Sequence, residues 1–405
     1  MNYSEAKAKL AVFNQEHLLR HYDELSESEK DSLLSQIEKT DFSIVTTNEN
    51  SEERGTISPI KVTEISEIKE HEAEFVSAGL KEIRSGHVGA VLLAGGMGTR
   101  LGSSEPKGMY NVGITHPLYI FECLINNLLD VVHRAGCFIH LFVMTSSKNH
   151  TATVNFFSEQ NFFGYSSEHV HFFMQDEAPA ADFNGKVYLE EKWKLACSPN
   201  GNGGWYSSMN KNEMLEIVRS CGIEWLNVFA VDNVLQRIAD PAFIGAVKLA
   251  NCASGSKVIR KASPDEKVGV MCLEDGRPSI VEYYELTDAM RNAKLENGQP
   301  AYNFGVILNY LFHVEQLDRI AGRHLPLHVV RKKIPFINEN GKHIKSDTPN
   351  GFKYETLILD MIKMLDGCLV FEVERQREFA PIKNKDGVDS VESARKLLEH
   401  NGINL

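Results

Sequence analysis

The sequence predicts an α/β fold: an open, mostly parallel sheet flanked by helices, preceded by a helical N-terminal region and followed by a short C-terminal closing segment. Three observations carry this. From about residue 86 onward, strand-length apolar runs alternate with stretches of helical periodicity, the pattern of a parallel sheet built from βαβ units. One such run ends in the glycine-rich stretch VLLAGGMGTRLG (Val91 to Gly102), a loop at the carboxyl edge of a strand, where open α/β sheets bind ligands. The flanking regions, 1–85 and 331–405, lack the alternation, so the division expected is a helical region and strap over 1–85, a catalytic-type domain over 86–330 and a reduced segment over 331–405.

Each element has its own signal. Residues 3 to 38 read as two helices, from Leu10, Val12, Phe13, His17, Leu18 and Leu19 at helical spacing and from the Ser26/Glu29 capping box before Leu33, Leu34 and Ile37. The polar, aperiodic stretch Asp41 to Thr63 reads as a strap. A helix around Glu72 to Arg84 stops at Gly86, and a strand follows over Val88 to Leu93. Strands are then expected at Phe138 to Met144, Val170 to Met174, Leu226 to Val231, Ser256 to Lys261 and Gly269 to Leu273. Helices are expected near Leu118 to Ala135, Asn149 to Gln160, Lys211 to Cys221 and Pro241 to Ala250. The closing segment should hold a helix near Tyr354 to Leu365 and a strand near Leu369 to Val373.

Composition bounds the function. With 405 residues, 42% hydrophobic and 24% charged, the chain is of the globular class. A formal net charge of -12 argues against nucleic-acid binding, which needs a basic footprint. The seven scattered cysteines, without a Cys-x-x-Cys pair, read as reduced thiols. No stretch approaches the ~20 apolar residues of a membrane span, and the N-terminus has no apolar signal core. The cytosol and a monomer are the expected setting.

The glycine loop decides the chemistry. A Walker loop would end in Gly-Lys-Ser/Thr, which is absent, and a dinucleotide turn would need a third glycine where Leu101 stands. Gly-Gly-x-Gly-Thr-Arg-Leu followed by Pro106-Lys107 instead fits a nucleotidyltransferase loop. Backbone amides along Leu93, Ala94, Gly95, Gly96, Gly98 and Thr99 can cradle a triphosphate, Arg100 can chelate its oxygens bidentately, and Lys107 can follow charge as it develops. Asp232, at the end of an apolar run, sits where one carboxylate could hold Mg2+ (or Mn2+) with phosphate oxygens.

The stretch LAGGMGTRLGSSEPKGMYNVG resembles the signature of eukaryotic-type UDP-N-acetylglucosamine pyrophosphorylases. The likeness continues in order through FFMQDEAPAADFNGKVYLEEKWKLACSPNGNGGWY, VFAVDNVLQRIADPAFIG, VGVMC, VEYYEL, KKIP, PNGFKYE and EFAPIKN. It implies a Rossmann-like nucleotidyltransferase domain that forms UDP-N-acetylglucosamine and pyrophosphate from UTP and N-acetylglucosamine-1-phosphate. By the same resemblance, Gln175 reads the uracil edge, Gly201 faces the nucleotide, Asn202 meets the acetamido group, and Gly269, Glu282 and Tyr283 contact the sugar. Asp232 then belongs to the metal, and Lys383 comes from the closing segment to the phosphates.

Two departures touch the sugar side. Val306 stands where the family has a sugar-contacting asparagine, and Leu357 where it tends to have an aromatic ring. A broader UDP-sugar pyrophosphorylase that accepts glucose-1-phosphate, or a non-catalytic sugar-nucleotide binder, therefore stand as alternatives. Retention of Arg100, Lys107, Asp232 and Lys383 speaks against the binder.

Overall fold

The computed structural model describes residues 1–46, 54–323 and 325–405. The chain divides into two units, each assembled from separated segments. The larger comprises Arg54–Gln175, Trp205–Arg323 and Leu359–Leu405, and the smaller comprises Met1–Glu53, Asp176–Gly204 and His324–Ile358. The strap expected over Asp41 to Thr63 lies partly outside the described residues; of the rest, Ser43–Thr46 is a short 3-10 turn and Ile57–Ser58 a two-residue strand.

The larger unit is built on a ten-stranded sheet. Its centre is parallel: Trp225–Ala230, Val88–Leu93, His140–Thr145 and Val170–Met174 lie side by side in that order, with Ala230 opposite Leu93, Leu93 opposite Met144 and Thr145 opposite Met174. All four carboxyl ends therefore face one edge. All six residues of Val88–Leu93 are buried, as a central parallel strand covered on both faces requires. The other half is mainly antiparallel, although Ser254–Arg260 also pairs parallel with Cys368–Glu372, so the sheet is mixed. Phe304–His313 pairs antiparallel with Trp225–Ala230 on one side and with Ser254–Arg260 on the other, and Val270–Glu274 forms a hairpin with Arg277–Val281.

Helices supply the cover. Ile65–Arg84, Ile120–Ala135, His150–Glu159 and Pro241–Leu249 occupy the connections, and their apolar faces enter one core with Leu92, Leu124, Val143, Phe157, Phe243 and Ile259. A buried carboxylate pins the end of the strap region to this unit. Glu274 binds the Arg54 guanidinium at 3.0 Å, the Lys363 ammonium at 2.9 Å, Ser279 Oγ at 2.8 Å and the amide of Gly55 at 3.0 Å. Against burial, these partners hold its carboxyl at about 2.

The smaller unit has its own core. Leu10 of Tyr3–Val12 and Leu33 and Ile37 of Glu27–Lys39 pack with Phe42, Leu189, Leu195 and Tyr354. The capping box of Ser26 and Glu29 starts the second helix, as the sequence indicates. His17, Leu18 and Leu19, expected in the first helix, lie in a separate 3-10 turn, because the helix ends at Val12 and Asn14 adopts φ 56°. Tyr354, expected in a helix, is in the strand Gly351–Glu355 opposite Val329, and the helix begins at Ile358.

Candidate active site

The loop after Val88–Leu93 is held by its carbonyls. The amide of Ala94 donates to Met144 O at 2.8 Å, closing the strand onto its neighbour. Asn149 Nδ2 then donates to Ala94 O at 2.8 Å and Gly96 O at 3.3 Å, Ser146 Oγ donates to Gly95 O at 2.9 Å, and the Lys107 amide donates to Gly96 O at 3.1 Å. Ser146 and Asn149 are themselves locked, Asn149 Oδ1 accepting from the Ser146 amide at 2.7 Å, and both are buried. With three successive carbonyls turned into the protein, the amides of Gly95, Gly96 and Met97 are left without an acceptor among the described residues. These amides are open to an anion.

Arg100 and Lys107 complete the loop. Arg100 is exposed on the turn Thr99–Leu101, anchored by buried Leu101, and makes no ion pair among the described residues. Lys107 opens the turn Lys107–Met109 and is only partly exposed. Burial pushes its ammonium below the ordinary lysine value; Asp232 opposes this, and the charges of Lys383 and Arg100 add to it. The four candidate phosphate-handling residues thus share one electrostatic neighbourhood.

Asp232 and Lys383 are brought there by a splice of two segments. Ile382 N donates to Asp232 O at 2.8 Å, Val234 N to Ala380 O at 3.3 Å and Ala380 N to Asn233 Oδ1 at 2.9 Å, while Asn233 Nδ2 donates to Glu378 O at 2.7 Å. Gln236 Nε2 braces the turn through Ala230 O at 2.7 Å. Lys383 Nζ is 3.2 Å from Asp389 Oδ2, and Asp389 O accepts from the Lys383 amide at 2.7 Å. The Asp232 carboxylate makes no ion pair among the described residues and is partly exposed. A hard oxygen donor of this kind fits Mg2+, which takes one or two carboxylates and completes its shell with phosphate and water.

Gln175 follows the Val170–Met174 strand, its amide bonded to Thr145 O at 2.8 Å. A Cβ on Gly95 would lie 2.3 Å from Gln175 Nε2, so only glycine lets this carboxamide lie against the loop. The sequence assigns Leu93, Ala94, Gly95, Gly96, Gly98, Thr99, Gln175 and Gly201 to the nucleotide, with Arg100, Lys107, Asp232 and Lys383; all but Gly201 lie in the larger unit. Two of the expected amides are not open to phosphate, because Ala94 N donates to Met144 O and Gly98 N to Glu105 O, each at 2.8 Å. Ser146, Asn149, Asn233 and Gln236 are not found by sequence reasoning. Their only signal there is polar residues directly after apolar strands.

The sugar candidates fall into two groups. In the larger unit Val306 N donates to Gly269 O at 2.9 Å, and a Cβ on Gly269 would stand 3.4 Å from Val306 Cγ2 and 3.5 Å from Glu282 Oε1. Gly269, Glu282 and Val306 thus line one small patch, with Tyr283 following as an exposed ring 5.3 Å from Tyr284. Asn202, the acetamido candidate, lies in the smaller unit, as does Gly201, which the sequence assigns to the nucleotide. Gly201 adopts φ +85°, and Asn202 Oδ1 accepts from the Ile358 amide at 3.0 Å, which leaves its NH2 as the group available to a ligand. Leu357 belongs to this same turn, its backbone N 2.7 Å from where a Cβ of Gly203 would stand.

A cluster of possible metal ligands, Glu82, His87 and Glu224, lies at the opposite, amino ends of the parallel strands. Lys248 Nζ stands 3.4 Å from Glu82 and 3.7 Å from Glu224, so an ammonium already offsets one of its two carboxylate charges.

Comparisons with known proteins show the family of the chain. The family model described as UTP–glucose-1-phosphate uridylyltransferase matches residues 39–405. The chain is 34% identical to the mouse UDP-N-acetylhexosamine pyrophosphorylase-like protein 1 over 95% of this chain and 81% of that protein. It is 33% identical to the UDP-N-acetylglucosamine pyrophosphorylase of Saccharomyces cerevisiae over 97% and 88%, respectively. Among solved structures, the UDP-N-acetylglucosamine pyrophosphorylase of Trypanosoma brucei, determined with an inhibitor, superposes with a TM-score of 0.81 at 27% identity, covering 96% of this chain and 83% of that one.

Proposed function

The chain belongs to the UTP–glucose-1-phosphate uridylyltransferase family, and from that premise we propose that it is a UDP-N-acetylglucosamine pyrophosphorylase. A phosphate oxygen of N-acetylglucosamine-1-phosphate attacks the α-phosphorus of UTP, the bond from that phosphorus to the bridging oxygen breaks, and pyrophosphate leaves. The chemistry needs little covalent help and much positioning and charge neutralisation. A divalent ion, Mg2+ or Mn2+ held through Asp232, supplies neutralisation of phosphate charge when bound.

The protein's own groups do the rest. The free amides of Gly95 to Met97 hold phosphate oxygens, Arg100 takes two oxygens in a fork, and Lys107 meets the charge that builds on the transferring group. Lys383, released from Asp389, follows the departing pyrophosphate. Gln175 gives and takes a hydrogen bond at the uracil edge. Asn202, whose oxygen is occupied, donates from its NH2 to the acetamido carbonyl, and Glu282 accepts from sugar hydroxyls. We place the enzyme in the cytosol, acting as a monomer on UTP and a sugar-1-phosphate; among the described residues no helix is long and apolar enough to cross a membrane.

The observation that carries this reading is a loop whose carbonyls are clamped inward beside a half-buried Lys107 and Asp232, neither of them ion-paired among the described residues. Pyrophosphate release from UTP with N-acetylglucosamine-1-phosphate should be readily measured with Mg2+ and vanish when EDTA is in excess; turnover undiminished in EDTA would refute the role of Asp232. A second reading, broader UDP-sugar synthesis, is favoured by one feature. Val306, beside Glu282, offers no polar atom to a sugar hydroxyl.

A further inference from the structure

We propose that His140, His169 and His171 form a second metal site, separate from Asp232, that takes one first-row divalent ion of the imidazole-preferring class, Zn2+ above all. The register puts them together. The parallel strands His140–Thr145 and Val170–Met174 pair with Leu141 opposite Val170 and Phe142 opposite His171. Side chains alternate along a strand, so His169 and His171 share a face, and His140, one step before Leu141, stands beside His169 on it. His171 in its strand, His169 at the end of the 3-10 turn Ser167–His169 just before it, and His140 on the neighbouring strand present three imidazoles, the donor set of three-histidine zinc sites.

Two of the three rings are close to the arrangement required. His140 Nδ1 and His171 Nε2 face each other at 2.9 Å, in rings inclined by only 21°. Two nitrogens bound tetrahedrally to Zn2+ at about 2.0–2.1 Å are about 3.3 Å apart, so the pair must open by only a few tenths of an ångström. The proton they share is what the ion replaces. Each neutral imidazole then carries its single N–H on the outer nitrogen, His140 on Nε2 and His171 on Nδ1, and no net proton is released.

The third ring is His169, with its centroid 4.8 Å from that of His140. Its Nδ1 lies 2.9 Å from Ser166 Oγ. Donation to that oxygen fixes the tautomer that leaves Nε2 as a ligand, the usual outer partner of a metal-bound histidine. The three donor nitrogens do not lie within 4.8 Å of one another as the rings stand, so binding requires the His169 ring to turn toward the other two, leaving a fourth position for water. All three rings are partly exposed, and Phe142 and Phe138 wall them at 5.1 and 5.4 Å from His171 and His169. Unlike the Glu82–His87–Glu224 cluster, no lysine or arginine is ion-paired into this one among the described residues.

The ion would tie the edge strand to its neighbour at their amino ends. At their carboxyl ends these same strands deliver Gln175 and the Ser146–Asn149 clamp, so the site would steady the nucleotide loop from the far side of the sheet.

The test is titration of the chelator-stripped full chain with Co2+ in the absence of Mg2+ and nucleotide. One equivalent should bind and give the intense visible bands of four-coordinate cobalt, and Zn2+ should bleach them. The His140→Gln/His171→Gln variant should lose the bands, whereas His87→Gln should keep them. Absence of the bands in the parent chain, or their loss in His87→Gln with retention in the double variant, would overturn the site. Should the double variant not fold, zinc-edge anomalous scattering from crystals of the parent decides the same question: a peak bonded to the three imidazole nitrogens supports the site, and a peak elsewhere or none refutes it.

Discussion

Lys257 and Lys107 both withdraw an ammonium from water in the larger unit, yet their surroundings are opposite. Lys257 is fully buried, with Nζ 2.8 Å from Asp240 and 2.6 Å from Glu378. Burial alone would depress its pKa, and the two carboxylates more than offset it, so the group is held above the ordinary lysine value. Lys107 has no carboxylate in ion-pair contact among the described residues, and burial wins, leaving it depressed. The first region satisfies its charge internally and joins three elements: the N-cap of Pro241–Leu249, the strand Ser254–Arg260 and the helix Arg375–Glu378. The second leaves its charge unsatisfied at a sheet edge, which costs stability and favours an anion from outside.

This contrast can be broken at either end. The largest effect is expected from Lys257→Met, which strands two buried carboxylates: about 3–5 kcal/mol lost in urea unfolding, with KM for UTP unchanged in the folded fraction. If stability barely moves, the pair is not the buried clamp described. Lys107→Ala should do the reverse, lowering kcat by on the order of 10²-fold, about 2.7 kcal/mol, without lowering the melting temperature. An unchanged kcat would make Lys107 a bystander.

Acidity sharpens the same point. Because the folded pKa of Lys107 lies below 10.5, activity that requires its charge is full below that folded value and declines as pH rises through it. The stability sign is opposite: folding disfavours the charged form, so this group's penalty fades as pH rises from the folded pKa toward 10.5. A pH profile of kcat/KM whose alkaline limb moves in Lys107→Arg supports this, and an unmoved limb counts against it. A smaller effect is expected from Asn149→Ala. It frees the carbonyls of Ala94 and Gly96 and should cost ~1–3 kcal/mol, seen partly as a raised KM for UTP.

Much of the nucleotide side is legible in the sequence because its signals are local. The strands Val88–Leu93 and Val170–Met174 have the predicted bounds, and the glycine loop and Gln175 follow them directly. The long strand Phe304–His313 is not among the expected elements. It is paired on both sides and reads as an apolar run interrupted at Asn309, with Leu308 at φ 52°, so it shows neither clean alternation nor turn punctuation. Val391–His400 is also missing from them, although Ser390 caps it and Val391, Ala394 and Leu398 recur at helical spacing. Tyr354 joins a strand because its partner, Val329, is remote in sequence. Asn149, Ser146, Asn233 and Gln236 are ordinary polar residues whose importance lies in which carbonyl each reaches. That is a property of the fold and not of any short motif.

The central proposal is that this edge handles the phosphates in a reaction on an N-acetylated sugar, although the side chains of Val306 and Leu357 offer a sugar no polar atom. Competition between N-acetylglucosamine-1-phosphate and glucose-1-phosphate at limiting UTP tests it most directly. The account predicts a preference of at least ~10-fold in kcat/KM for the acetylated sugar, about 1.4 kcal/mol, largely erased in Asn202→Ala because only the NH2 of Asn202 is free to reach the acetamido carbonyl. Glucose-1-phosphate winning in the parent enzyme would contradict it.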